Sequence, residues 1–245
     1  MSAITIILVH GALLTSNIWM PVQSYLQNNG YNVVTLDVPG RADDGISAKE
    51  SSLLLAANKV CKVVNLQTGT VLLAAHSQAG AVITQATRQC GARIAGLAYI
   101  AAVVPRSGEK AFDMLSSQDG ENFDKVTRLD NAAGVYQINY EGPLKAMFMD
   151  DANETQVKRA INNMVPEPIR LGDETLQYDQ AAFDTIPKFY IQTTMDKIIS
   201  PDTQQKFILR NKFKKIYTMK TSHSPFISQP KLLGQYLGEI ADSIK

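Results

Sequence analysis

Charge, cysteine and histidine are all scarce in this sequence, and each scarcity removes a class of function. Charged residues make up 19% of the 245 and the net charge is +1, so there is neither a basic field to attract nucleic acid nor an acidic tail. The one basic cluster, Arg210-Asn211-Lys212-Phe213-Lys214-Lys215, reads as a solvated turn between a helix and a strand. The two cysteines, Cys61 and Cys90, each fall on the apolar side of an expected helix and read as small core hydrophobes in a reducing compartment. Three scattered histidines give no metal-ligand spacing. No G-x-G-x-x-G follows a strand either, so neither a metal nor a dinucleotide cofactor is expected. No apolar run is long enough to span a membrane, and the chain enters Ile4–Val9 without a charged n-region, the expectation for a soluble cytoplasmic protein. This length fits one α/β domain with an inserted lid better than two domains.

What is present is organised around Val71-Leu72-Leu73-Ala74-Ala75-His76-Ser77-Gln78-Ala79-Gly80. The apolar run up to Ala75 reads as a strand buried on both faces, and from Ala79 the apolar positions (Val82, Ile83, Ala86, Cys90) take helical spacing. Ser77 therefore sits on a strand-to-helix corner. The G-x-S-x-G fingerprint occurs as Ala75-x-Ser77-x-Ala79, alanine being small enough for a tight turn. A serine beside small residues at a helix start is otherwise an N-cap, so the motif needs support from the rest of the chain.

Strands are expected at 4–9, 32–36, 71–75, 94–104, 188–193 and 215–219. Between them lie helices carrying Trp19, Val22 and Leu26, then Leu53, Leu54, Ala57, Val60, Cys61 and Val64 after a Ser47-x-x-Glu50 capping box. Ser200-Pro201 opens a later helix, and Pro230 the last. Strict alternation of strand and helix up to residue 104 favours parallel strands. From about 106 to 187 the rhythm breaks into a polar stretch, helical in pieces and clearest at 152–165. Some of its methionines and aromatics are expected to face Ser77, with most forming its own small core.

A serine hydroxyl needs a base. His10 and His76 are tied to strand ends, with His76 expected to point to the other side of the turn, whereas His223 lies in a loop beyond the last strand. In a parallel sheet the carboxyl ends of all strands share one rim, where Ser77, His223 and the loop after Val9 can converge. Two carboxylates follow the fifth strand. Asp202 already has a role complementing the dipole of the helix that Ser200-Pro201 opens, so Asp196, directly on the rim, is taken as the acid.

The resulting order, Ser77…Asp196…His223, is that of α/β-hydrolases. With His10-Gly11-Ala12, Trp19, Met195-Asp196-Lys197-Ile198 and Ser222-His223-Ser224-Pro225, the whole chain resembles the branch of that family containing plant methylesterases, hydroxynitrile lyases and bacterial carboxylesterases. It departs at Ala75 and Ala79, usually glycine, and in lacking an N-terminal antiparallel hairpin. The resemblance implies an α/β-hydrolase fold: a mainly parallel six-stranded sheet with helices on both faces, a core of residues 1–105 and 188–245, and an inserted helical lid of residues 106–187. It implies a carboxylic-ester hydrolase with Ser77, His223 and Asp196 as the triad and the backbone N–H groups of Ala12 and Gln78 as the oxyanion hole. The expected partner is a small, fairly apolar ester, with no cofactor, nucleic acid or membrane involved; a homodimer is allowed. Two alternatives stand. A hydroxynitrile-lyase-like enzyme would want a cation beside the base, but the position that holds lysine in those lyases is Ser224 here. A non-catalytic small-ligand receptor on the same fold is the other.

Overall fold

The computed structural model describes residues 4–41 and 44–244. The first half alternates strand and helix: β1 (Ile4–Val9), α1 (Met20–Asn28), β2 (Asn32–Leu36), α2 (Leu53–Asn65), β3 (Thr70–His76), α3 (Ala79–Cys90) and β4 (Gly96–Ile100). The next segment carries α4 (Ser117–Val126), β5 (Thr127–Asp130), β6 (Val135–Ile138), α5 (Leu144–Phe148), α6 (Glu154–Ile161), β7 (Glu167–Pro168), α7 (Arg170–Asp173) and α8 (Gln180–Thr185). The alternation then resumes with β8 (Lys188–Thr193), α9 (Pro201–Arg210), β9 (Lys215–Met219), α10 (Pro225–Ser228) and α11 (Pro230–Asp242).

The main sheet has six strands in the order β2-β1-β3-β4-β8-β9, and every pairing in it is parallel. From β1 the chain steps one way to β2 and then back past β1 to β3. Right-handed crossovers therefore put α1 on one face and α2 on the other. Accordingly α1 packs on α11, and α2 on α3. The reversal lies between β1 and β3, and outside their carboxyl ends is where open α/β sheets leave a crevice for ligands. All of β1, and β3 from Val71 onward, is buried, which explains why both read as unbroken apolar runs.

Several expectations are corrected. Ser47 and Glu50 do form a reciprocal pair, Glu50 N–H donating to Ser47 Oγ at 3.3 Å and Ser47 N–H to Glu50 Oε2 at 3.0 Å. They close a turn upstream of the helix, and α2 itself starts from Ser52, whose side chain accepts from Leu55 N–H. Leu54 lies off the buried stripe, 51% exposed, and Ala56 takes its place. The fourth strand is shorter than 94–104 because Ala101 turns into the left-handed region at φ 44° and carries the chain out of the sheet. The segment after it is not purely helical: β5, β6 and β7 form a second, antiparallel sheet. Its short polar strands, such as Thr127–Asp130, carry no apolar alternation that could mark them.

The two cysteines are not separate thiols. The packing of α2 on α3 brings Cys61 and Cys90 to a Cα–Cα distance of 5.6 Å, joined as a disulfide. Lying on facing stripes of neighbouring helices, both look apolar-buried in sequence whether bonded or not. The reducing compartment inferred from them loses its support. Among the described residues no helix is long and apolar enough to cross a membrane.

Candidate active site

The corner after β3 is as tight as the sequence requires. Ser77 has φ 55°, its N–H donates to Ile100 O at 3.1 Å and its carbonyl accepts from Val103 N–H at 3.2 Å. The following helix lies so close to the chain leaving β4 that a Cβ on Gly80 would sit 2.0 Å from Val103 O. Gly80 thus supplies a clearance that no other residue could, while Ala75 and Ala79 are accommodated, both buried.

Around this serine the rim loops converge. The Ser77 hydroxyl donates to His223 Nε2 at 3.0 Å, and His223 Nδ1–H donates to Asp196 Oδ2 at 2.7 Å. Asp196 Oδ2 also accepts from Thr193 Oγ1 at 2.9 Å, and Oδ1 from the N–H groups of Ile198 and Ile199 at 2.8 and 3.0 Å. Those bonds fix the carboxylate, which in turn fixes the imidazole tautomer that leaves Nε2 free to take a proton. All three side chains are buried. Asp202 is exposed in the first turn of α9 and is not among the partners of His223.

The other two histidines take structural roles. His10 Nδ1–H donates to Gly11 O at 2.9 Å while Nε2 accepts from Val38 N–H at 3.1 Å. Burial, aided by the nearby Arg41 charge, pushes its pKa down to about 3. His76, expected on the far side of the turn, instead packs its ring 4.6 Å from that of His223 and donates from Nε2 to His223 O at 2.8 Å. Burial first, then the neighbouring His223, holds it well below the usual histidine range. It braces the loop that carries His223, and a pKa held so low makes its ring a poor proton acceptor.

The loop after β1 passes directly over the serine. A Cβ on Gly11 would lie 2.8 Å from Ser77 Cβ, and Ala12 lines the same cavity as Ser77 and His223. Leu13, next in the chain, is buried at φ 62°. Leu13, Ser77 and Ala101 are the non-glycine residues with positive φ among those described: Ser77 lines the cavity, Leu13 follows Ala12, and Ala101 follows Ile100, which accepts from Ser77 N–H. Such conformations cost on the order of 1–3 kcal/mol each and persist where surroundings enforce them.

The cavity above Ser77 has a volume of about 340 Å³. Its roof comes from the segment between β4 and β8, including Phe112, Phe123, Tyr136, Phe148, Met149 and Met164, while Met114 and Met147 pack elsewhere. Among the described residues, Asp124 is the one acid in its lining, which includes no lysine or arginine. Lys197 is turned away, its ammonium 2.9 Å from Asp150 on the surface.

Sequence reasoning missed the carboxylates that tie this roof to the rim. Asp119 accepts from Ser200 N–H at 3.2 Å and Thr203 Oγ1 at 2.6 Å, just beyond Asp196. Asp151 accepts from Ser222 N–H at 3.1 Å, beside His223. Glu167 accepts from Leu13 N–H at 2.8 Å, beside Ala12, and pairs with the buried Arg41. Asp119 ends a Ser116-x-x-Asp119 cap, Asp151 adjoins Asp150 and Glu167 stands between two prolines, and none of these local patterns tells a tethering acid from a solvated one.

The alpha/beta hydrolase family matches residues 6–234. Among curated proteins, the chain is 27% identical over 248 residues to the putative methylesterase 12, chloroplastic, of Arabidopsis thaliana, covering 96% of this chain and 71% of that one. It is 24% identical over 269 residues to a pyrethroid hydrolase of Sphingobium wenxiniae, covering 99% and 89%. Among solved structures, a pyrethroid hydrolase from Sphingobium faniae superposes with a TM-score of 0.85 at 21% identity, covering 99% of this chain and 98% of that one. An Arabidopsis methylesterase does so with a TM-score of 0.82 at 18% identity, covering 98% and 100%. The six-stranded parallel sheet, the serine on its strained corner and the match over nearly the whole chain agree: this chain belongs to the alpha/beta hydrolase family.

Proposed function

We propose that the protein hydrolyses a small, uncharged carboxylic ester through an acyl-enzyme on Ser77. The observation that carries this reading is the unbroken hydrogen-bond relay from Ser77 Oγ through His223 to Asp196, 3.0 and 2.7 Å, opening into an apolar cavity. His223 Nε2 takes the hydroxyl proton as Ser77 Oγ bonds to the ester carbon. The oxyanion is received by the N–H groups of Ala12 and Gln78, and the tetrahedral centre collapses with the proton passing from His223 to the departing alcohol. Water then repeats the sequence, losing its proton to His223, and releases the acid. The relatives whose names denote methylesterase and pyrethroid hydrolase support ester chemistry.

The cavity lining narrows the substrate. A volume of about 340 Å³ lies at the small end of ligand pockets. With no lysine or arginine among the described lining residues and Asp124 within it, a carboxylate-bearing ester would find no permanent counter-ion there. Residues 106–187 act as the lid that shapes this space. The same lining disfavours cyanohydrin cleavage, since no cation is placed to receive a leaving cyanide: Ser224 lines the cavity and Lys197 is engaged with Asp150. The test is a panel of nitrophenyl esters of increasing acyl length, with mandelonitrile beside them. Short and medium esters turn over, Ser77→Ala lowers the rate by roughly 10⁶-fold, and mandelonitrile is not cleaved above its spontaneous decay. Benzaldehyde release that depends on Ser77 would replace the hydrolase with the lyase.

A further inference from the structure

Leu13 is held from both sides by one segment of the lid. Its N–H donates to Glu167 Oε2 at 2.8 Å, and its carbonyl accepts from Val165 N–H at 3.0 Å. Two residues apart in the stretch that leads into β7, these groups grip a single residue that lies at φ 62°, a conformation a leucine does not hold unaided. Immediately before it is Ala12, whose N–H the proposed chemistry uses. Glu167 reaches the other oxyanion donor as well: the Gln78 side-chain amide donates to Glu167 Oε1 at 2.7 Å, and its carbonyl accepts from Gly172 N–H at 3.1 Å. The remaining partner of Glu167 is the Arg41 guanidinium, which also donates to Pro166 O at 3.2 Å. Arg41 and Glu167 are both buried, so the carboxylate is locked by donors from three separate loops of the core.

We infer that Glu167 is a positioning residue for the oxyanion hole: through Leu13 and Gln78, this lid carboxylate sets the two N–H groups that receive the tetrahedral oxyanion. The inference rests on the ester-hydrolase reading for its chemical consequence, but the clamp itself is a statement about the loop. A purely structural carboxylate would stabilise the fold without favouring one step of the reaction. A positioning carboxylate acts where charge develops in the transition state, so its loss lowers kcat and leaves KM nearly unchanged.

The variants are Glu167→Gln and, to avoid an unpaired buried cation, Arg41→Met/Glu167→Gln. The control is Glu174→Gln, since Glu174 is another acid from the same segment that accepts a core N–H, that of Leu53 at 2.8 Å, without lining the cavity. For both Glu167 variants kcat on a nitrophenyl ester falls roughly 10²-fold, the scale expected when a donor is displaced by about 1 Å. KM stays within about threefold, and affinity for a trifluoromethyl ketone, which forms a tetrahedral adduct, falls in parallel with kcat/KM. Amide hydrogen exchange over residues 10–16 speeds up in the same variants, and Glu174→Gln changes neither kcat nor that exchange. Wild-type kcat and wild-type exchange in folded Glu167→Gln overturn the clamp, as does equal loss in Glu174→Gln. A wild-type protein that turns over no ester, with exchange still accelerated in Glu167→Gln, leaves the clamp standing and refutes the hydrolase.

Discussion

Gly11 and Ser77 stand in such close contact that a Cβ on Gly11 would lie 2.8 Å from Ser77 Cβ and 2.7 Å from His76 Nδ1. No flexible side-chain end is available to yield, since both neighbours belong to the buried corner. Gly11→Ala must therefore push the β1 loop off the serine, and with it the N–H of Ala12. The expected result is a folded protein whose kcat on a nitrophenyl ester drops roughly 10²-fold. Unchanged kcat would mean that the loop takes no part in the reaction.

The two candidate acids separate cleanly by mutation. Asp196→Asn preserves the shape but offers an amide to His223 Nδ1, and by the general behaviour of such triads costs roughly 10⁴ in kcat. Asp202→Asn, exposed in the first turn of α9, loses only a favourable dipole interaction, about 0.3–1 kcal/mol of stability. Rates of the purified variants decide, and the opposite ranking would move the acid to Asp202.

Reduction of the protein tests the pairing of α2 with α3. The Cys61–Cys90 bridge spans a sequence separation of 29, for which loop closure predicts a stabilisation of about 3–4 kcal/mol. Urea melts with and without a reductant should differ by that amount, and Cys61→Ala/Cys90→Ala should match the reduced protein. Melts that coincide would return both cysteines to the status of ordinary core thiols.

Acid sensitivity has a definite sign. Burial pushes His10 down to about 3 and holds His76 well below its ordinary value of 6.5. Below that value the unfolded chain binds more protons than the folded one, so stability rises with pH. The His10 contribution is complete above about pH 6.5 and is lost on acidification towards about 3, and that of His76 has the same sign. Glu167 acts oppositely. Burial raises its pKa above 4.5, so its protonation favours the folded state and offsets part of the loss just above that value. Denaturant melts between pH 7.5 and 5 should show a falling midpoint, with a shallower fall in His10→Asn. A midpoint independent of pH would contradict the neutral assignment of both rings.

Much of the sheet and the relay was legible because it is written locally. The unbroken runs at 4–9 and 71–75 give the buried strands, Ser77 stands where one periodicity passes into another, and the rim geometry of a parallel sheet brings Asp196 and His223 to it. What was not legible depends on tertiary partners. The strand Glu167–Pro168 has two residues and no pattern, and Glu167 acquires meaning only through Leu13, Gln78 and Arg41. The side of the turn that His76 takes is set by the carbonyl of His223, 147 positions away. Cys61 and Cys90 look alike in sequence whether or not their helices face each other. Ser52, rather than Ser47, caps α2, and Leu53 N–H, the first of the helix, goes to Glu174 of the segment between β4 and β8.

The most direct test of the account is to trap the acyl-enzyme. Wild-type protein mixed with excess 4-nitrophenyl butyrate and quenched in acid within milliseconds should carry a single butyryl group, placed on Ser77 by peptide mass spectrometry. The adduct should accumulate in Asp196→Asn and be absent from Ser77→Ala. Turnover of the ester by Ser77→Ala at the wild-type rate, or an adduct on another residue of an active protein, would contradict the assignment of Ser77 as the nucleophile.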